Sequence, residues 1–377
     1  MNTFRVVICG GGVAAVEGAL RLRRLMKDRV ELTILAPNES FRYRPMAVTE
    51  PFSSGTVLEL PLTRIAADVA AELIEDTLES IDHDERIVRT GSGRELPFDA
   101  VLVAVGARSI EPYEHVRTFD DAEADNTFHG VIQDIEQGYV KSVAFIAPLP
   151  PVFPLPLYEL ALMTAARARE QDINDLSLSL MTAESRPLAP FGSEVSDLVG
   201  GLLETAGIRV HTLSVVHVPE AGRIVIEPSG PEIHADAVIA LPHVTGPVLS
   251  GLSRGPDGFI PIDRYCRVPD TNGRVFAAGD ATDFPVKHGG LGAQMADTAA
   301  ACITQLAGVN IEAQPLAPVL RGKLLTGGEP VYIAAQVVGG RGFDSTIYKT
   351  PPWREEDKIV AKELGDYLED IRLAGAA

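Results

Sequence analysis

Phe4-Arg5-Val6-Val7-Ile8-Cys9-Gly10-Gly11-Gly12-Val13-Ala14-Ala15-Val16-Glu17-Gly18-Ala19-Leu20 is the stretch on which the reading of this chain turns. An apolar run stops at three glycines and resumes with helical spacing at Val13, Val16, Leu20 and Leu22, the outline of a strand, a tight turn and a helix. Such a unit suits a dinucleotide. Gly10 permits the turn, Gly12 lets backbone amides approach a pyrophosphate, and the small Ala15 lets the helix pack closely on the strand. The helix N-terminus adds unpaired N–H groups and the positive end of its dipole.

A chain of 377 residues with 46% hydrophobic residues has room for two well-buried α/β domains and a small appendage. Its 33 basic and 52 acidic residues leave a formal net charge of −19, a field that repels nucleic acid and anionic lipid, so neither is an expected partner. The acid reads first as a source of solubility. No run approaches the ~20 uninterrupted apolar residues that span a bilayer. The N-terminus enters a strand without a signal-peptide pattern, and the expected location is the cytoplasm. Cys9, Cys266 and Cys302 stand far apart without a C-x-x-C pair, which predicts neither a disulfide framework nor a metal site. All three read as structural thiols.

Val30 to Leu35 predicts a second strand leading to Ala36-Pro37-Asn38-Glu39. Ala36 occupies the place where such folds usually carry an acid for the adenine ribose, so Glu39 or main-chain atoms around Pro37 are the expected substitutes. Phe41 to Met46 mixes aromatic, cationic and rigid residues, and reads equally as a solvated basic loop or as a ligand-facing one. Helical spacing continues from Ile65 to Ile74, and Leu78 to Arg89 predicts short strands about a turn at Asp82 to Glu85. Phe98 to Ala107 has the form of a buried parallel strand ending in glycine.

A second unit repeats the alternation. Strands are expected at Val143 to Ala147, Leu176 to Thr182 and Arg209 to Leu213, with helices at Tyr158 to Arg169 and Val195 to Ala206 between them. Its first turn is Ala147-Pro148-Leu149-Pro150-Pro151-Val152-Phe153-Pro154-Leu155-Pro156, where prolines offer no N–H and bulky side chains block a phosphate. This turn reads first as a rigid connector, with an apolar pocket wall as the alternative. Ala235 to Leu241 is one more apolar strand, from which the chain returns to the first domain. The late segment Val275-Phe276-Ala277-Ala278-Gly279-Asp280 ends a strand just before a glycine-rich turn and a small-residue helix, Leu291 to Leu306. Asp280 there reads either as a holder of ribityl or ribose hydroxyls or as a helix N-cap.

Taken together, Gly10 to Ala15, Phe98 to Gly106 and Val275 to Asp280 make the chain resemble the FAD-dependent pyridine nucleotide-disulfide oxidoreductases, in the branch of sulfide:quinone oxidoreductases and type II NADH dehydrogenases. The resemblance covers nearly the whole chain. It implies two Rossmann-like domains, an FAD-binding one from residues 1–117 and 242–323 and an inserted, degenerate NAD(P)-binding-like one from 118–241, with a C-terminal segment over 324–377. It further implies that Gly10, Gly12, Val13, Ala14 and Ala15 hold the FAD pyrophosphate, and that Ala104, Val105, Gly106 and Ala107 approach the cofactor from the central strand. Pro37, Arg44, Pro45, Gly279, Asp280, Gly289 and Gly290 complete the implied cofactor site. Lys287, beside the isoalloxazine ring, is the implied catalytic residue, its charge suiting the reduced pyrimidine edge. His288 reads first as a solvated loop histidine, with a proton shuttle as the alternative.

Three departures from the family pattern shape the expected function. None of the three cysteines matches a redox pair, the second glycine fingerprint is missing, and the tail from Glu355 to Ile371 has an apolar stripe within an acidic remainder unlike a basic membrane anchor. The tail is expected to pack on its own chain or on a second subunit. These features predict an FAD oxidoreductase that takes electrons from a small-molecule donor and passes them to a small acceptor such as a quinone, without a redox disulfide. The alternatives are an NAD(P)H-dependent reductase with an altered nucleotide grip, resting on Glu159 and the Thr182-Ala183-Glu184 strand end, and a flavoprotein without turnover. Homodimerisation is implied by the resemblance alone.

Overall fold

The computed structural model describes residues 3–55, 57–121, 124–149, 153–227, 230–354 and 356–375. In chain order, β1 (Phe4–Cys9), α1 (Val13–Met26), β2 (Val30–Ala36), α2 (Leu62–Asp68), β3 (Ala71–Glu75) and β4 (Ala100–Val103) come first. The middle of the chain forms β5 (Arg117–Thr118), α3 (Ala124–Glu136), β6 (Ser142–Ile146), α4 (Leu155–Glu170), β7 (Ser177–Met181), α5 (Ser193–Thr205), β8 (Ile208–His211) and β9 (Ala237–Ala240). The remainder supplies β10 (Val275–Ala277), α6 (Gly289–Leu306), β11 (Val319–Leu324), β12 (Val331–Val338), β13 (Arg341–Tyr348) and α7 (Lys362–Gly375).

Two parallel sheets organise these elements. The first runs β10-β4-β1-β2-β3, and the second β5-β9-β6-β7-β8. Continuous apolar runs make such strands because both faces are covered: every residue of β4 is fully buried, as are Ile8 and Cys9 of β1. In the first sheet Cys9 lies opposite both Leu35 and Val103, and Val103 opposite Ala277, so four strands end level on one edge. The order reverses beside β1, between β2 and β4. Ligands of open parallel sheets bind outside the carboxyl ends at such a reversal.

Small residues let the covering helices come close. Gly18 of α1 has space for a hydrogen only, since a Cβ would stand 2.5 Å from the Leu102 side chain, and Ala296 of α6 faces it from the other helix. Fully buried Leu22, Leu102 and Ile303 consolidate this layer, each contributing roughly 1.5–3 kcal/mol by area. The connections between the two sheets run side by side, Arg108–Ile110 pairing antiparallel with His243–Thr245.

Residues 65–74, expected as one helix, divide into α2 and β3. Ala70 takes a left-handed φ of 49°, which stops the helix, and Leu73 and Ile74 then pair parallel with Ile34 and Leu35. The gain from completing the sheet overrides alanine-rich helical spacing. Unforeseen as well is the antiparallel β11-β12-β13 sheet that opens the C-terminal part. Beyond it, α7 packs on α1 and α6 of its own chain. The buried Glu17 carboxylate of α1 accepts the N–H groups of Lys362, Glu363 and Leu364 at 2.7–3.1 Å and so caps α7 from another helix. Arg21 and Arg24 reach Glu363 at 2.9 and 2.8 Å beside that cap. Among the described residues no helix is long and apolar enough to cross a membrane.

Candidate functional site

The level strand ends place three chain turns together. Gly10 continues the ladder, its N–H donating to Leu35 O at 2.8 Å, while Ala104 N–H donates to Cys9 O at 2.7 Å and Ala278 N–H to Val103 O at 2.9 Å. Gly10 has φ 131°, and a Cβ there would overlap the Ala104 carbonyl, so only glycine lets the first turn lie against the end of β4. Gly12 is the N-cap of α1, exposed and extended, with no side-chain cap and no acid in the first turn. The N–H groups of Val13, Ala14 and Ala15 therefore open toward an anion. A Cβ on Gly12 or Gly106 would meet nothing within 4 Å, whereas Gly292 at the start of α6 touches Gly279, where a Cβ would come within 3.0 Å of its Cα. Such an open, glycine-walled edge fits a pyrophosphate.

Charge collects on the same edge. Arg44 lies 3.3 Å from Asp121, with side chains 51% and 45% exposed. Burial pushes the Asp121 carboxyl up to about 6 against the pull of Arg44. Asp280 stands in the turn Gly279–Ala281 at the end of β10; burial raises its carboxyl, opposed by the charges of Lys287 and Arg44. His288, not Asp280, caps α6, so the N-cap reading of the aspartate does not hold. Lys287 donates to the Thr282 carbonyl, and its ammonium lies 3.6 Å from the centre of the Phe259 ring. Burial lowers it to about 8, opposed by Asp280 and Asp283. Asp280 presents lone pairs suited to ribityl or ribose hydroxyls, and Lys287 a fixed cation.

The Phe41 to Met46 loop is not a solvated basic loop. Phe41 and Tyr43 are buried, Arg42 pairs with Glu50 at 2.9 Å, and Arg44 is exposed beside Asp121, with Pro45 half-buried next to it. Pro37 is exposed just past β2, and Val105 and Ala107 flank Gly106 past β4. Gly289 and Gly290 form the first turn of α6, where Ile359 and the Val360 carbonyl of the C-terminal segment pack against them. That segment is held by Tyr43, whose hydroxyl accepts the Ile359 N–H at 3.1 Å.

His288 corrects the expectation of a solvated histidine. It is buried, its Nδ1 accepts the Gly290 N–H at 3.2 Å, and the Phe153 ring meets it edge-on at 5.1 Å. Burial, with Lys358 nearby, pushes it down to about 3, so it stays neutral and serves as a cap rather than a proton shuttle.

The second sheet presents a different edge. Of the proline-rich turn, Pro150, Pro151 and Val152 lie outside the described residues; Pro154 caps α4 and buried Leu155 begins it. Glu159 is fully buried and meets Lys358 at 2.6 Å, so it does not face a nucleotide. Glu184, past β7, accepts from Tyr158 at 2.7 Å, Thr182 at 3.1 Å and the Ala189 N–H at 2.9 Å, which occupies the carboxylate that a ribose would need. Cys9, Cys266 and Cys302 are free and buried, and burial pushes each thiol up, Cys9 to about 12. Among the described residues no group of three His, Cys, Asp or Glu side chains is placed to hold a metal ion.

Asp121, Phe259 and Thr282 are members of the site that sequence reasoning passed over. Each is defined by a partner distant in sequence or by a backbone carbonyl, and no local motif marks it.

The sequence pattern of the pyridine nucleotide-disulphide oxidoreductases matches residues 4–138 and 159–303. A sulfide-quinone reductase of Aquifex aeolicus is 29% identical over 107 residues, which are 28% of this chain and 25% of that protein. Apoptosis-inducing factor 1 of Saccharomyces cerevisiae is 30% identical over 122 residues, 32% of either chain. The matches thus span about a quarter to a third of these relatives. The X-ray structure of the Aquifex aeolicus sulfide:quinone oxidoreductase superposes with a TM-score of 0.79 over 92% of this chain and 87% of that one, at 21% identity, a likeness of fold. With the family pattern matched on both sheets, the chain belongs to the pyridine nucleotide-disulphide oxidoreductase family.

Proposed function

We propose that this protein is an FAD-dependent oxidoreductase that passes electrons from a small donor to a small acceptor such as a quinone, without a redox disulfide. The observation that carries the reading is the meeting of the Gly10–Gly12 turn, Gly279–Asp280 and the start of α6 at the level ends of β1, β4 and β10. FAD, when bound, supplies the capacity to take up and release two electrons. The first-turn N–H groups of α1 hold the pyrophosphate, with Gly10 and Gly12 keeping side chains out of its way. Asp280 accepts from ribityl hydroxyls, Arg44 offers positive charge at the rim, and Pro37 marks main chain available to the adenosine end. Residues 104–107 form the wall from the central strand. Lys287 would supply positive charge to a bound flavin, beside the positive end of the α6 dipole at Gly289 and Gly290.

Three buried thiols far from ionising support chemistry without a persulfide or a disulfide. The acceptor class rests on the named activity of the Aquifex aeolicus relative. Anaerobic stopped-flow mixing tests the reading. The expected result is a yellow protein whose flavin is not bleached rapidly by NADH or NADPH, but whose photoreduced flavin is reoxidised by a short-chain quinone. Rapid bleaching by either nucleotide establishes the reductase instead. Inertness to nucleotides and quinone alike points to a flavoprotein without turnover, and a protein that retains no flavin refutes the proposal outright.

A further inference from the structure

The Lys287 ammonium has a built receptor. The carbonyl of Thr282 lies on one side of it and the face of the Phe259 ring on another, 3.6 Å from ring centre to nitrogen. The ring arrives on a separate segment that runs alongside 281–283. Ile260 N–H donates to Ala281 O at 2.9 Å, Asp283 N–H to Ile260 O at 2.8 Å, and Ile262 N–H to the Asp283 carboxylate at 3.3 Å. Phe259 is pinned from the other direction too, its carbonyl accepting the Gly255 N–H at 2.7 Å. A side chain on a backbone so tied is a fixed wall. The charges that bear on the ammonium are Asp280 and Asp283 from its own turn, with Arg44 acting on Asp280, while the facing segment contributes the neutral ring.

We propose that Phe259 is a positioning residue for Lys287: its ring, with the Thr282 carbonyl, holds the ammonium in its charged form at one place beside Asp280 and thereby sets the positive charge that a bound flavin meets. The inference rests on the FAD reading above and adds a residue to it. Its physical basis is a competition. Burial favours the neutral amine, whereas a carbonyl oxygen and an aromatic face interact more strongly with the cation. Without the ring the balance moves toward the neutral amine, and less charge reaches the flavin at a given pH.

The test compares the wild type with Phe259→Leu, Phe259→Tyr, Lys287→Met and the Phe259→Leu/Lys287→Met double variant, reading flavin midpoint potential from pH 6 to 9. A desolvated cation–π contact changes a protonation equilibrium by roughly tenfold or more. The wild-type potential is expected to change slope where Lys287 titrates, a midpoint that lies at about 8 before flavin is bound. In Phe259→Leu the break moves down by about one pH unit, and above it the potential falls by up to about 30 mV, the equivalent of tenfold for two electrons. Phe259→Tyr retains the wild-type profile, Lys287→Met has no break, and the double variant matches Lys287→Met. The proposal is overturned if Phe259→Leu keeps the wild-type profile while Lys287→Met changes it, or if Phe259→Leu lowers the potential equally when Lys287 is gone. A second measurement needs no flavin: in NMR titration of lysine labelled at Cε, the Lys287 midpoint falls by about one pH unit in Phe259→Leu. An unchanged midpoint refutes the positioning role, whereas loss of flavin from the wild type refutes the FAD reading and leaves this result standing. Phe259→Met replaces the leucine variant if that one does not fold.

Discussion

Lys358→Met tests how the C-terminal segment is held to α4, the helix that contains Glu159. The Lys358 ammonium lies 2.6 Å from Glu159, with side chains 5% and 0% exposed, and the other Glu159 oxygen accepts the Leu325 N–H at 3.0 Å. Removing the lysine leaves a carboxylate in the interior with one neutral donor. An uncompensated buried charge of this kind costs about 3–5 kcal/mol. Glu159→Gln strands Lys358 instead, next to Lys323 and with no opposite charge to offset its burial, so the cost is of similar size. Glu159→Gln/Lys358→Met behaves differently. Glutamine keeps an acceptor for Leu325, methionine fills the space of the lysine stem, and no charge stays buried. The double variant should therefore lose at least about 2 kcal/mol less than either single one, a strong coupling.

Equilibrium urea unfolding at pH 8 measures this, followed by far-UV circular dichroism and by emission from Trp353, the single tryptophan. Trp353 reports on the segment directly, because its indole N–H donates to the Asp357 carbonyl at 3.0 Å and its ring meets Tyr332 edge-on at 5.3 Å. In the single variants the tryptophan signal should change at lower urea than the dichroism, as the segment releases before the sheets unfold. The reasoning fails if Lys358→Met costs less than about 1 kcal/mol, or if the two single costs simply add in the double variant.

Three further outcomes follow from the geometry. Gly10→Ala forces a Cβ onto the Ala104 carbonyl at φ 131°; it should cost roughly 2–4 kcal/mol and yield protein without bound flavin, read by absorbance after desalting. Glu17 is pushed up to about 7 by burial, against an ordinary 4.5, so between those values the folded chain keeps a proton that the unfolded chain has released. Its contribution is thus full below about pH 4.5 and is lost as pH rises through about 7, and a Glu17→Gln variant should lack that part of the fall in urea midpoint. Finally, Cys9, Cys266 and Cys302 are buried with raised thiol pKa values, so the native protein should resist a thiol-specific disulfide reagent that labels all three after denaturation.

What was legible in the sequence was what neighbours along the chain decide. The Gly10–Gly12 turn, the strand run after Phe98 and the approach to Gly279–Asp280 each carry their meaning within a dozen residues, because turn sterics and strand burial act locally. Where the partner lies far away, the same residues misled. Ala71 to Glu75 has helical spacing but joins β2, and a loop histidine at 288 becomes a buried cap once Phe153 and the segment around Lys358 close over it. Glu17 caps a helix more than three hundred residues downstream, and nothing near it in sequence announces that task. Lys287 and Phe259 divide along the same line. A lysine just before a glycine turn is visible as a candidate beside a cofactor, but its burial, and the ring from another segment and the backbone carbonyl that touch its ammonium, are not. The residue that bears the charge is therefore readable from sequence, while the groups that decide whether it is charged become readable only once the turns of the fold have been brought together.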